Sequence, residues 1–108
     1  MFGSRWGRVT GVCAFLAMTM SAAVAMAADS ANGLRLSRQW CASCHLVEPG
    51  GVAHDAAPPF AQIANDPATT PARLRAWLAD PHPPMPGLDL ANQQEDDIIA
   101  YLMSLKKP

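Results

Sequence analysis

The run Cys41-Ala42-Ser43-Cys44-His45 places two thiols and an imidazole within one short stretch of chain. Cysteines at i and i+3 of a helix lie on nearly the same face, one turn apart. Thiols so placed can reach the two vinyl groups on one edge of a porphyrin. The adjacent His45 can then offer a ring nitrogen to the iron from one side. The C-x-x-C-H pattern therefore predicts covalent attachment of a haem. Two other chemistries use cysteines at this spacing. A redox dithiol is suggested by Trp40-Cys41-x-x-Cys44, but that motif belongs after a strand, inside a βαβ unit. A structural zinc site wants a second, tightly spaced ligand pair. His54 and His82 are far apart and flanked by loop residues. The adjacent His45 places haem ahead of both alternatives.

An iron held by His45 has a second axial position. A methionine thioether there raises the reduction potential and favours electron transfer over ligand binding. Beyond the N-terminal apolar segment the candidates are Met85 and Met103, with His54 and His82 as further options. Met103 sits among apolar neighbours on a helical stripe and reads as core filler. Met85 sits in Pro81-His82-Pro83-Pro84-Met85-Pro86-Gly87, where proline density excludes a helix or a central strand. Such a loop is stiff, which reduces the entropy lost on ligation. Met85 is therefore the expected ligand. His82 reads as a loop residue near the haem edge, and His54 as solvated.

The elements that must position these residues are helical. A first helix is expected from Ala31 to Cys44, with Gly33, Leu36, Trp40 and Cys44 on one face. Residues 46–69 are rich in Gly, Pro and Ala and read as loop, with a short helix around Phe60–Ala64. A further helix opens at Thr70, with Pro71 at its first position, and Pro81 stops it. The last runs from Asn92 to Lys106, where Asn92 and Glu95 have capping-box spacing. Ile98, Ile99, Leu102 and Leu105 form its apolar face, and Lys106-Lys107 suit its C-terminal dipole. No strand pattern and no internal repeat is found, so the expected class is all-α, with three to four short helices.

The first 27 residues read differently. Arg5 and Arg8 precede an uncharged stretch from Val9 to Ala28, which contains the small-x-small pattern Ala25-Met26-Ala27. This predicts a secretory signal peptide cleaved near Ala27 and a periplasmic protein. A retained membrane anchor is the rival reading. Its abundance of Ala, Gly, Ser and Thr, with little Leu, argues for cleavage and against a membrane span in the mature protein. Cys13 falls inside the discarded segment. The chain carries a formal charge of −1, and losing Arg5 and Arg8 makes it −3. That balance argues against nucleic acid as a partner. The 81 residues that remain make one domain, of a size where a core alone is marginal. A covalently held haem would act as the staple.

In this order, helix, C-x-x-C-H, proline-containing loop, Met loop and C-terminal helix resemble the class I c-type cytochromes, small monohaem proteins. The resemblance implies a cytochrome c-like fold wrapped around one haem c over residues 28–108. It implies that a proline carbonyl accepts the other N–H of the haem histidine, and Pro58 in Ala57-Pro58-Pro59-Phe60 matches that place. It implies that a small residue on the first helix meets an aromatic on the last, roles that Gly33 and Tyr101 match. Trp77 is similar to the family's aromatic near a haem propionate. Arg73 and Arg75 are expected to be solvated rather than paired with propionates. Ala91 stands where relatives carry Ser or Thr as the cap, which a start capped by Asn92 would explain. The implied function is single-electron transfer between redox partner proteins, such as an oxidoreductase or terminal oxidase, without bond chemistry. A permanent haem subunit of a periplasmic oxidoreductase complex and a five-coordinate gas-binding or peroxidase-like haem protein are the alternatives.

Overall fold

A computed structural model describes Gly3 and residues 27–52, 57–80 and 82–108. Most of the N-terminal segment expected to be a signal peptide, together with Cys13, His54 and Pro81, lies outside the described residues. Four helices follow one another: α1 (Ser30–Trp40), α2 (Phe60–Asn65), α3 (Pro71–Ala79) and α4 (Asn92–Ser104). Among the described residues there is no strand, and the fold is all-α.

Each start has a local cause. Asp29 caps α1, its carboxylate accepting from the Asn32 backbone N–H at 3.1 Å. Thr70 caps α3 through the Arg73 N–H at 3.1 Å, and Pro71 occupies the first turn, where its missing N–H costs nothing. Helix α4 departs from expectation: Ala91, not Asn92, is the cap residue. Alanine has no side-chain acceptor. One orphan donor is instead met from inside the helix, where the Gln94 side chain accepts from the Ala91 N–H at 2.9 Å. Glu95 is thereby left for an ion pair with Arg75 on α3, 3.4 Å away, and the same guanidinium bonds Asp96. Arg75 thus straps α3 to α4 rather than being merely solvated.

Helix α4 touches all three other helices and packs most extensively against α1. Gly33 makes that closeness permissible. A Cβ at this position would lie 1.9 Å from the Asp97 carbonyl oxygen and 2.9 Å from Tyr101 Cβ. The two backbones are in direct contact there. Beside them Asp97 is buried, yet its carboxylate is fully engaged. It accepts from the Asp29 N–H at 2.8 Å, the Asn32 side-chain amide at 2.8 Å and the Gln93 amide at 2.9 Å. These bonds, the Asp29 N–H first and Asn32 next, hold the Asp97 carboxyl below its ordinary range against the opposing effect of desolvation. The core beneath comprises Leu36, Val47, Phe60, Ala64, Leu74, Ile98, Ile99, Tyr101 and Leu102, with Cys41 at its edge.

Helix α4 also ends earlier than its apolar stripe suggests, at Ser104. The chain beyond it is pinned from α2 instead. The Asn65 side chain donates to the Leu105 carbonyl at 3.1 Å and accepts from the Lys107 N–H at 2.8 Å.

Candidate cofactor site

Helix α1 stops at Trp40, before the cysteines, but the helical course continues for one more turn. The Cys41 carbonyl accepts from the Cys44 N–H at 3.2 Å and from the His45 N–H at 2.9 Å. The second of these is the helical i to i+4 bond, so both thiols keep the one-turn relation that vinyl attachment requires. Cys41 is buried, Cys44 is exposed, and the two are not joined to each other.

Beneath this turn lies a cavity of about 900 Å³, at the upper end of the range for cofactor pockets. One wall carries Trp40, Cys41, Cys44 and His45. Ala57, Pro58 and Phe60 lead into α2 below them. Arg73, Leu74, Trp77 and Leu78 come from one face of α3, while Ile98 and Leu102 of α4 form an apolar floor. His82, Pro84, Met85, Pro86 and Leu88 close the remaining side. The structure therefore brings Cys41, Cys44, His45, Pro58 and Met85 together around one space, although more than forty residues separate the first from the last.

His45 Nδ1 lies 2.7 Å from the Pro58 carbonyl oxygen. A carbonyl can only accept, so Nδ1 is the donor here, and in the neutral ring Nε2 keeps its lone pair. That is the tautomer an iron ligand needs, and the carbonyl also fixes the ring's rotation. The Phe60 ring steadies it from the side, its centroid 5.3 Å from that of His45. Met85 sits in a turn closed by its own N–H to the His82 carbonyl at 2.9 Å. Met103 is half-buried against the hydrophobic core and does not line the cavity. His82 does line it, standing edge-on to Trp77 with ring centroids 4.3 Å apart.

The alternative chemistries fit less well. A redox dithiol depends on an exposed first cysteine with a lowered pKa. Here burial pushes the Cys41 thiol up to about 11. Among the described residues no three His, Cys, Asp or Glu side chains are grouped to hold a metal ion. A haem fits the residues present: paired thiols at one edge, an imidazole in the ligating tautomer, a thioether on a separate loop and an apolar interior. Trp40, which the sequence places on the core-facing side of α1, is about half exposed and belongs to the cavity wall instead. Its position immediately before the attachment motif was the available signal.

Comparisons with known proteins identify the family. The profile of the cytochrome c family matches residues 30–106. A protein named cytochrome c-552 from Bradyrhizobium diazoefficiens is 42% identical over 97 residues, spanning 89% of this chain and 93% of that protein. No solved structure gives a significant match. The chain belongs to the cytochrome c family. It is a c-type cytochrome, an electron carrier whose cofactor is a covalently bound haem c with iron.

Proposed function

We propose that Cys41 and Cys44 form the thioethers to the haem, that His45 and Met85 are its axial ligands, and that the protein shuttles single electrons between redox proteins of the periplasm. The observation that carries the reading is the 2.7 Å contact of His45 Nδ1 with the Pro58 carbonyl, in the cavity that both cysteines also line. The haem, when bound, supplies reversible one-electron exchange at its iron. The residues around it supply the conditions. Phe60, Leu74, Ile98 and Leu102 keep water from the interior of the site. Pro58 holds the proton on Nδ1 of His45. The prolines around Met85 hold its loop in shape, so that little has to reorganise when charge changes. No helix among the described residues is long and apolar enough to cross a membrane. The export segment, cleaved near Ala27, would deliver a mature carrier to the periplasm.

The ligand assignment is tested on the oxidised protein. A sulfur-to-iron charge-transfer band is expected, lost in Met85→Ala and kept in Met103→Ala. The opposite pattern would overturn the role of Met85.

A further inference from the structure

The bond that orients His45 spans thirteen residues, from the histidine to Pro58. Its geometry depends on the course of the intervening chain. The three residues directly after His45 are each tied to a different element. The Leu46 carbonyl accepts from the Phe60 N–H at 2.9 Å, at the start of α2. The Val47 carbonyl accepts from the Tyr101 hydroxyl of α4 at 2.6 Å, in a buried setting. The Glu48 carboxylate takes both arms of the Arg38 guanidinium of α1, at 2.5 and 2.9 Å. The Phe60 ring also lies between His45 and Tyr101, 5.3 Å from the first centroid and 6.4 Å from the second. Tyr101 does not line the cavity. Its hydroxyl nevertheless reaches the backbone two residues from the imidazole.

From this arrangement we infer that residues 46–48 form a strap, fastened by Tyr101 and Arg38, which positions His45 against Pro58 and so helps to set the reduction potential. Tyr101 and Arg38 are positioning residues: neither lines the cavity, and both act on His45 through the backbone. The direction of the effect follows from the chemistry. A firm Nδ1–H to carbonyl bond makes the imidazole a stronger donor. A stronger donor favours the oxidised iron, so loosening the strap raises the potential.

The inference rests on His45 being an iron ligand, and one experiment separates the two claims. In proton NMR of the oxidised holoprotein, His45 ring protons should be strongly shifted by the iron. If they are not, the ligation reading fails and the strap's function fails with it. If they are, Tyr101→Phe should raise the potential and speed solvent exchange of the His45 Nδ1 proton. Asp97→Asn, which weakens the α1–α4 contact one turn before Tyr101 but leaves the Tyr101 hydroxyl and its bond to Val47 in place, should lower the melting temperature and move neither readout. A Tyr101→Phe protein that melts earlier but keeps both readouts at wild-type values would make Tyr101 structural only. Should Tyr101→Phe fail to accumulate, Arg38→Gln removes the exposed fastening instead. It should shift the potential the same way by a smaller amount, and no shift would overturn the inference.

Discussion

Replacing Gly33 by alanine tests the central packing feature of the fold. In isolation the change should help, because alanine is favoured over glycine inside a helix by about 1 kcal/mol. The structure predicts the reverse. The added methyl would sit 1.9 Å from the Asp97 carbonyl oxygen and 2.5 Å from its carbonyl carbon. An acceptable carbon-to-oxygen approach is about 3.3 Å, so the helices would have to part by roughly 1.4 Å at that point. The obstruction is backbone, which cannot rotate aside as a side chain would. Overpacking typically costs 1–3 kcal/mol, and a rigid clash belongs at the upper end, about 3 kcal/mol. Subtracting the propensity gain leaves a net loss of about 2 kcal/mol.

For a domain of this size each kcal/mol moves the melting temperature by about 4–8 °C. The Gly33→Ala holoprotein should therefore melt about 10 °C lower, followed by far-UV circular dichroism. A melting temperature equal to or above wild type would show that α1 and α4 are not in backbone contact at this crossing. The same methyl would lie 2.9 Å from Tyr101 Cβ, so a rise in reduction potential should accompany the loss of stability.

Asp97→Asn should cost about 1–3 kcal/mol at neutral pH, since an amide offers one oxygen where the carboxylate serves three donors. The Asp97 carboxyl is held below its ordinary range, so its contribution is complete above about pH 4 and is lost as pH falls through the depressed value. Chemical denaturation at a series of pH values should show the gap between the two proteins closing on the acid side; a gap that widens there would refute the ionised role. The exported protein should begin at Ala28, which intact mass determines once the haem is included. Retention of Arg5 and Arg8 in the functional protein would overturn cleavage.

What can be seen from the residues alone divides by the range of the interaction. The thiol pair, its histidine and the Thr70-Pro71 helix start are local signals, each complete within a few residues, and α3 begins where Thr70 and Pro71 place it. Boundaries were less visible. Helix α1 ends at Trp40 because the backbone loosens at Cys41 (φ −115°, ψ −22°) while the hydrogen bonds run on for another turn. At α4 the spacing from Asn92 to Glu95 suggested a cap, yet Gln94 and Ala91 make the bond and Glu95 turns to Arg75. Only the tertiary position of α3 decides that competition.

The strap shows the limit most sharply. Gly33 and Tyr101 could be paired from the sequence through their resemblance to a family pattern, and they do meet. That pairing accounts for the ring of Tyr101 but is silent about its hydroxyl. The hydroxyl bonds the backbone of Val47, fifty-four residues earlier, and every residue type offers a carbonyl, so nothing in the identity of Val47 marks it as the acceptor. Side-chain chemistry announces which residues can hold a haem. The orientation of His45 depends on main-chain atoms, and those become specific only once the helices have packed.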